Sequence, residues 1–417
     1  MKHNVGITIC AVTLCTLLLC GCSQTPMIEK ERVPHATTMT YCSHGNNYYF
    51  YGYHNGNFNP ALDTEIPLCF DPLCSHMEYN KQKEEWYSIC PQYLGRSMQT
   101  AITYTSDGEY LYMACVAENA DHSDAMKRSI YRYDPENPFD LKRITTYSDS
   151  GPLFGAPIYI YDGMIYYPQG IYNEDFVRGG IETADDQYMQ IMCVKATGGE
   201  GMTAIDEKFH VDNKFYMDEE NYYIINYNGP LTVIDRETHE KTEVLCDGLS
   251  PSLVYTVDGV QYLVCNEDSY TASYESEQQV TYACVYQYEN GICTKLIGGA
   301  HDIQIMDGAL WYIPHEETYY GSREMFNGLE NELFDYISIR AGELHRLDLA
   351  TGEEKVWKNE DPDLDLWFVG ASDRIAIVCP RSVKGEYDGE APWRTPRYWK
   401  AELGEDGVIR LLQGIEE

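Results

Sequence analysis

Runs of β-branched and aromatic residues come in pairs along this chain, each pair split by a short polar step. Ile158-Tyr159-Ile160-Tyr161 is followed by Asp162-Gly163 and then by Met164-Ile165-Tyr166-Tyr167. The same order recurs at Ile303 to Tyr312 around Asp307-Gly308, at Tyr104 to Tyr112 around Asp107-Gly108, and at Val254 to Tyr262 around Asp258-Gly259. An Asp-Gly pair between two such runs is a strong local signal for a tight β-hairpin. Weaker copies lack the full pair: Gly45-Asn46 before Asn47-Tyr48-Tyr49, Glu219-Glu220-Asn221 before Tyr222-Tyr223, and Ser372-Asp373 before Arg374-Ile375.

A second half-motif follows each copy, a strand ending in an acid or its equivalent, then a turn, then another strand. Leu344-His345-Arg346-Leu347-Asp348 before Ala350-Thr351-Gly352-Glu353 is the clearest, with Lys355-Val356-Trp357 as the returning strand. Tyr131 to Asp134, Val233 to Asp235, and Tyr286 to Tyr288 before Glu289-Asn290-Gly291 repeat it. Each unit is therefore four strands, A to D, with tight turns between A and B and between C and D. Four-stranded antiparallel units recurring at about fifty residues predict an all-β fold, a β-propeller of four-stranded blades. The pattern gives seven units, with six and eight as the alternatives. A two-sheet sandwich would not repeat a four-strand module so often.

The N-terminal residues read differently. A short start with one Lys leads into the apolar run Val5 to Leu19, too short to span a bilayer comfortably and the right length for a signal-peptide core. Leu19-Cys20-Gly21-Cys22 closes it, and this tetrapeptide resembles the lipobox of bacterial lipoproteins. That resemblance implies acylation of Cys22, cleavage in front of it, and palmitate-type anchoring to the outside of the bacterial cell membrane. The expected division is a signal peptide over 1–21, a lipidated cysteine and polar tether over 22–36, and a single β-propeller domain over 37–417. No second apolar run of spanning length follows, so the remainder is expected to be extracytoplasmic and soluble.

Charge narrows the partners. The formal net charge is −36. Such an excess of acid repels nucleic acid and anionic headgroups, and it leaves divalent cations, cationic ligands and neutral sugars open. Plain solubility at a crowded surface also accounts for it. With 37 tyrosines and 44% apolar residues, the chain has ample material for a core.

Fifteen cysteines are present; Cys10, Cys15, Cys20 and Cys22 belong to the leader and anchor, and eleven remain. Cys115, Cys193, Cys265, Cys284 and Cys379 lie inside apolar strand-like runs, where a reduced, buried Cys acting as a small hydrophobe is the default. Cys69, Cys74, His76 and Cys90 are different. Three thiolates and an imidazole make a tetrahedral zinc complement, whereas an exported chain can oxidise the same cysteines. Disulfide, structural zinc and unpaired thiols stay open here, and none of them implies catalysis.

The repeat and this stretch together resemble a group of lipid-anchored β-propeller lipoproteins of gut Clostridia, whose propeller is similar to the low-density-lipoprotein-receptor type. Its members carry a Leu-Cys-x-x-Pro-x-Cys-x-His stretch after the first blade, which stands here as Leu68-Cys69-Phe70-Asp71-Pro72-Leu73-Cys74-Ser75-His76. Cys90 follows after a longer spacer than the group's pattern. The resemblance implies a fold and a location and brings no assigned activity.

Loop lengths point to one face. Turns A–B and C–D are short; the long insertions fall between B and C, at Pro168 to Gln187, Pro314 to Ala341 and Pro380 to Arg397. The cysteine stretch falls between D and the next A, on the same side. Long loops on a rigid scaffold carry binding residues. The candidates are Glu174, Asp175, Asp185 and Asp186 in the third unit, Glu316, Glu317, Tyr319 and Tyr320 in the sixth, and Glu386, Asp388 and Trp393 in the seventh. Aromatic rings beside carboxylates suit a sugar or a cationic group. Within the sixth insertion, the four-residue spacing of Met325, Leu329 and Leu333 predicts a short amphipathic helix.

Catalytic signatures are mostly absent: there is no His-Glu-x-x-His, no Gly-x-Ser-x-Gly and no phosphate-binding glycine loop. The favoured expectation is a non-catalytic cell-surface binding platform for carbohydrate, peptide or protein. The alternative is an extracellular polysaccharide hydrolase or lyase using acids of the long-loop face.

Overall fold

The computed structural model describes residues 103–116, 127–148, 157–171, 188–271, 279–314, 317–326, 331–340, 342–360, 364–371, 375–382 and 399–414, apart from 135–136, 138–140, 227–228 and 307. It also describes the strands between 41 and 86. The described elements are all β. Strands β1 to β4 (Tyr41–His44, Asn47–Phe50, Gly56–Asn59, Thr64–Pro67) form one antiparallel meander, and β5 with β6 (Tyr79–Asn80, Glu85–Trp86) is a small hairpin in the connection that follows. Three more four-stranded meanders come next: β7 to β10 (Thr103–Ser106, Leu111–Val116, Lys127–Tyr133, Leu141–Ser148), β11 to β14 (Tyr159–Tyr161, Met164–Ile171, Tyr188–Lys195, Met202–His210) and β15 to β18 (Lys214–Met217, Asn221–Ile225, Leu231–Asp235, Lys241–Val244).

A seven-stranded sheet comprises β19 to β23 (Pro251–Val257, Val260–Thr271, Gln279–Glu289, Ile292–Met306, Ala309–Pro314) with β26 and β27 (Glu343–Asp348, Glu354–Lys358). The separate hairpin of β24 and β25 (Glu317–Phe326, Asn331–Arg340) is inserted into it, and β28 to β31 (Leu364–Ala371, Ile375–Ser382, Trp399–Leu403, Ile409–Gly414) form the last meander. The seven-stranded sheet is two four-strand groups sharing β22. That strand runs for 15 residues, as the outer strand of one group and then as the first strand of the next. Its pairing with β23 shifts between His301 and Gln304, and Gly299 upstream adopts φ 62°, so the strand changes partner at a bend rather than across a loop.

The apolar runs look continuous because the described inner sheets are buried on both faces. In β8, Leu111 and Met113 pack in a cluster with Cys42 of β1, whereas Tyr112 and Ala114 pack with Ile158, Ile160 and Ile165 of the third sheet. In β20, Leu263 and Cys265 join the cluster that holds β15 and β16, whereas Tyr262 and Val264 join the one that holds Ile303, Ile305 and Leu310. Successive side chains of a strand point to opposite faces, so alternate residues belong to different interfaces. Ile165 and Leu263 have no exposed surface, and each such side chain contributes on the order of 1.5–3 kcal/mol relative to exposure.

Tyrosine fits these interfaces because its ring packs and its hydroxyl reaches across. Tyr159 of β11 stands edge-on to Phe215 of β15 at 5.4 Å between centroids and donates to the Phe215 carbonyl at 3.2 Å. Tyr255 of β19 donates to the Ile303 carbonyl at 3.4 Å. Between the third and fourth sheets, the Arg236 guanidinium lies over Tyr161, Tyr166 and Tyr222 at 4.4, 5.1 and 5.4 Å, and donates to the Asp218 and Glu219 carbonyls.

Turn chemistry matches the repeat. Asp162-Gly163 and Asp258-Gly259 both have positive φ at both positions, closing two-residue hairpins between Tyr161 and Met164 and between Val257 and Val260. The acids of the second half-motif cap their turns: Asp348 Oδ1 accepts from the backbone N–H groups of Ala350 and Thr351 at 3.2 and 2.8 Å, and Asp235 Oδ1 from those of Glu237 and Thr238 at 2.9 and 2.7 Å. These bonds hold both carboxyls below the usual range.

One expectation is overturned. The segment containing Met325, Leu329 and Leu333 forms no helix; Met325 and Leu333 lie on the paired strands β24 and β25. The last pair is Phe326 with Asn331, and the sequence between them opens with Asn327-Gly328, a hairpin signal. The aromatic and β-branched character of Phe334, Tyr336, Ile337 and Ile339 favours strand. A four-residue spacing is also an even number of residues, and it satisfies a strand's period as well as a helix's.

Gly163 sits at φ 70° with nothing within 4 Å of an added Cβ, so conformational strain alone decides its replacement. Gly163→Ala is expected to lose about 1–2 kcal/mol in urea unfolding, and an unchanged midpoint would remove this role for the turn.

Candidate functional site

A meander of four strands sends its A–B and C–D turns to one end and its B–C and outgoing connections to the other. The structure places the long segments accordingly, between β12 and β13, between β23 and β26, and between β29 and β30. The cysteine stretch lies in sequence between β4 and β7. Of the residues expected to bind, Glu317, Tyr319 and Tyr320 lie on β24, with backbone partners Arg340, Ser338 and Ile337. Glu174, Asp175, Asp185, Asp186, Glu316, Glu386, Asp388 and Trp393 lie outside the described residues, as do Cys22, Cys69, Cys74, His76 and Cys90.

At the root of the hairpin β24–β25 the described side chains form a polar cluster that the sequence pattern did not single out. His345 on β26 pairs with Tyr312 on β23, the last pair before the insertion. Its Nδ1 lies 3.0 Å from Glu354 Oε1 and its Nε2 3.1 Å from Glu343 Oε2. Tyr312 donates its hydroxyl to the same Glu354 oxygen, and Lys358 Nζ lies 3.3 Å from Glu343 Oε1. Both ring nitrogens can donate at once only when the imidazole carries two protons.

The strand period explains this gathering. Glu343 and His345 are two apart on β26, Glu354 and Lys358 four apart on β27, and the β26–β27 register sets Glu343 opposite Lys358. All face the side on which Tyr312 and Leu310 join the cluster of the preceding group, whereas Trp311, Arg346 and Trp357 face the other. There Trp311 stacks on Trp357 at 5.7 Å and 16°, and Trp357 Nε1 donates to the Gly404 carbonyl of the last sheet at 3.0 Å.

Ionisation follows from these bonds. Hydrogen bonds from Tyr312 and then His345 hold the Glu354 carboxyl below the ordinary glutamate range. Burial alone would raise Glu343, but His345 and Lys358 outweigh it and the net direction is downward. Burial, then the Glu354 bond, push the Tyr312 phenol up. Each polar group thus already has an internal partner. The arrangement is a clamp across β23, β26 and β27 at the base of the insertion.

A second buried acid serves the scaffold. Asp218 is 5% exposed and accepts from Tyr223 Oη, from Thr256 Oγ1 of the next group at 3.0 Å, and from the Glu220 and Asn221 N–H groups at 2.9 and 2.7 Å. A buried carboxylate is tolerated when its lone pairs are filled in this way. Cys193, Cys265 and Cys284 are buried reduced thiols inside strands, as their apolar surroundings imply. Among the described residues no group of three or more His, Cys, Asp or Glu side chains is arranged to hold a metal ion.

Repeated four-stranded antiparallel meanders, packed face to face in chain order with clusters shared between neighbours, define a β-propeller fold built of four-stranded blades. No family model matches the chain, and no curated protein matches it. Similar solved structures include the β-propeller domain of the Trilobed protease from Pyrococcus furiosus, described as having an open velcro topology, with 12% identity, TM-score 0.44, and 92% of this chain covering 99% of that one. YjhT is similar at 10% identity and TM-score 0.38, over 75% of this chain and 97% of that one. The N-terminal domain of Nup159 is similar at 10% identity and TM-score 0.37, over 91% and 90%.

Because Glu343 and Glu354 titrate lower in the folded than in the unfolded chain, their contribution to stability is present above about pH 4.3, the unfolded glutamate value, and is lost as pH falls through the folded values. Urea unfolding stepped from pH 6 to pH 3 is expected to show a steeper loss for the wild type than for His345→Gln, which cannot donate from a cation. Parallel slopes would show that the clamp is not ionic. Tyr223→Phe is expected to cost about 1.5–3 kcal/mol at neutral pH, because it removes one donor from a buried carboxylate.

Proposed function

We propose that this chain is a lipid-anchored cell-surface protein whose β-propeller presents the B–C and D–A connections as a binding platform for an extracellular carbohydrate, peptide or protein, without catalysis of its own. The observation that carries this reading is the connectivity that sends the long connections to one end of the strands, where the sixth insertion forms a hairpin of two ten-residue strands next to a hydrogen-bonded polar cluster. Long connections on a fixed sheet scaffold suit recognition, in which loops differ and the scaffold holds still.

The anchor rests on Leu19-Cys20-Gly21-Cys22 and the apolar run before it. Acylation of Cys22 would tether the propeller through the polar segment from Ser23 to about Pro34 and hold it outside the bacterial cell membrane, as in the lipoproteins that the sequence resembles. The acid excess suits that setting, since it discourages nonspecific adhesion to anionic surfaces and keeps nucleic acid off. Seven blades is the count we propose, with Cys69, Cys74, His76 and Cys90 stapling one long connection as a disulfide or a structural zinc site. Fold alone does not name the ligand.

Metabolic labelling with a tagged fatty acid is expected to mark the wild-type chain and not Cys22→Ser, and label retained in the variant would defeat the anchor. In glycan and peptide arrays with the detergent-solubilised chain, binding to one class is expected. That binding should fall at least tenfold on joint replacement of Tyr319, Tyr320 and Trp393 by Ala. Binding to neither class, or turnover of a polysaccharide, would sink the platform reading.

A further inference from the structure

Two thiols outside the polar cluster stand closer than packing requires. Cys246 lies in the turn between β18 and β19, and Cys293 is the second residue of β22, just past the Asn290-Gly291 reversal that pairs Glu289 with Ile292. They are 47 residues apart in sequence, yet their Sγ atoms are 2.9 Å apart. That separation exceeds a disulfide bond of about 2.05 Å by less than 1 Å.

Both sulfurs are carried by fixed backbone. Cys246 and Leu249 exchange two backbone hydrogen bonds, at 3.0 and 2.8 Å, around Asp247 and Gly248, which both have positive φ. Tyr286 of β21 donates its hydroxyl to Asp247 Oδ2 at 3.0 Å, pinning that turn onto the fifth group. Cys293 pairs in register with Tyr288, and its Sγ lies 3.7 Å from the Leu245 carbonyl, beside the turn. Cys265 and Cys284, opposite each other on β20 and β21, are fully buried behind the pair, whereas Cys293 is partly exposed and is the sulfur an oxidant can reach.

We propose that Cys246 and Cys293 form a structural disulfide that locks the turn after the fourth sheet onto the outer hairpin of the fifth group. The oxidant is an external disulfide. The Cys293 thiolate attacks one sulfur of R–S–S–R, forming a mixed disulfide and releasing one thiolate. The Cys246 thiolate then attacks the Cys293 sulfur, closing the bond and releasing the second. Two protein thiols become one disulfide, one external disulfide becomes two thiols, and the two protons pass to the departing thiolates. Burial pushes the Cys293 thiol up to about 12. The pair therefore lacks the depressed pKa of a catalytic dithiol, and closure belongs to folding in an oxidising compartment. The inference does not depend on acylation of Cys22.

The full-length chain is refolded from urea in a buffer of reduced and oxidised glutathione, alkylated, digested without reductant and mapped by mass spectrometry. The expected result is one cross-linked peptide joining Cys246 to Cys293, with neither residue alkylated until reductant is added. The oxidised wild type is expected to melt about 5 °C above the Cys246→Ser/Cys293→Ser double variant. Reductant should abolish that difference, while the double variant controls for linkages elsewhere in the chain. Full alkylation of both residues after oxidative refolding, a Cys246–Cys265 linkage instead, or equal melting of oxidised wild type and double variant would each overturn the proposal.

Discussion

Everything in this protein depends on a sheet being buried on both faces at once. A four-stranded meander has too little surface to form a core by itself, and here its two faces are covered by the preceding and following sheets, as the fourth sheet is by Tyr159 and Met189 on one side and Val254 and Leu263 on the other. Alternate residues of one strand therefore answer to different neighbours. A change at Tyr112 would disturb the interface with the third sheet, and a change at Met113 the interface with the first. Stability is in this sense a chain of pairwise interfaces, and buried acids inside them such as Asp218 are paired locally.

Tyrosine is the residue that reconciles these demands. Its ring supplies apolar area, and its hydroxyl finds either a carbonyl of the neighbouring sheet, as at Tyr159 and Tyr255, or an acid at a turn, as Tyr112 finds Asp107 at 2.9 Å and Tyr223 finds Asp218. The partnership raises these phenols, Tyr112 and Tyr223 first through burial and then through the acid, so they stay protonated donors at any physiological pH. An abundance of tyrosine and of acid, which composition alone presents as two separate facts, is at these turns a single device.

That device also decides what was legible beforehand. The Asp-Gly hairpins and the acids at strand ends could be read from the sequence because each acts within four residues, where spacing is the whole geometry. The sixth insertion could not, because Met325, Leu329 and Leu333 satisfy helix and strand periods equally and only the pairing of β24 with β25 separates them. The cluster of Glu343, His345, Glu354, Lys358 and Tyr312 was hidden for a different reason. Its members come from three strands, and their convergence needs the register Tyr312 to His345 and Glu343 to Lys358. The signal was present as Glu-x-His on a strand followed by Glu-x-x-x-Lys on the next, and it becomes visible once the hairpin is aligned. Cys246 and Cys293 come from different parts of the repeat, and no local pattern links them.

The same locality explains why insertions collect at one end. An A–B or C–D turn is held by an acid that caps the backbone, as at Asp235 and Asp348, or by a pair of residues with positive φ, as at Asp162-Gly163. Lengthening such a turn would break the cap and release buried tyrosines or arginines that depend on it; Arg236, which bonds the Asp218 and Glu219 carbonyls from within one turn, would lose its place over three rings. Among the described residues, the B–C end of the fourth sheet carries bonds of its own, with Asn226 donating to the Pro230 carbonyl at 2.6 Å and to Thr232 Oγ1 at 3.0 Å, and the His345 clamp lies on the strands next to the sixth insertion rather than in it. Additional length in a connection costs little entropy once the strand ends are fixed. The A–B and C–D turns are thus committed to holding neighbouring sheets together, and the long connections leave from the opposite ends of the strands.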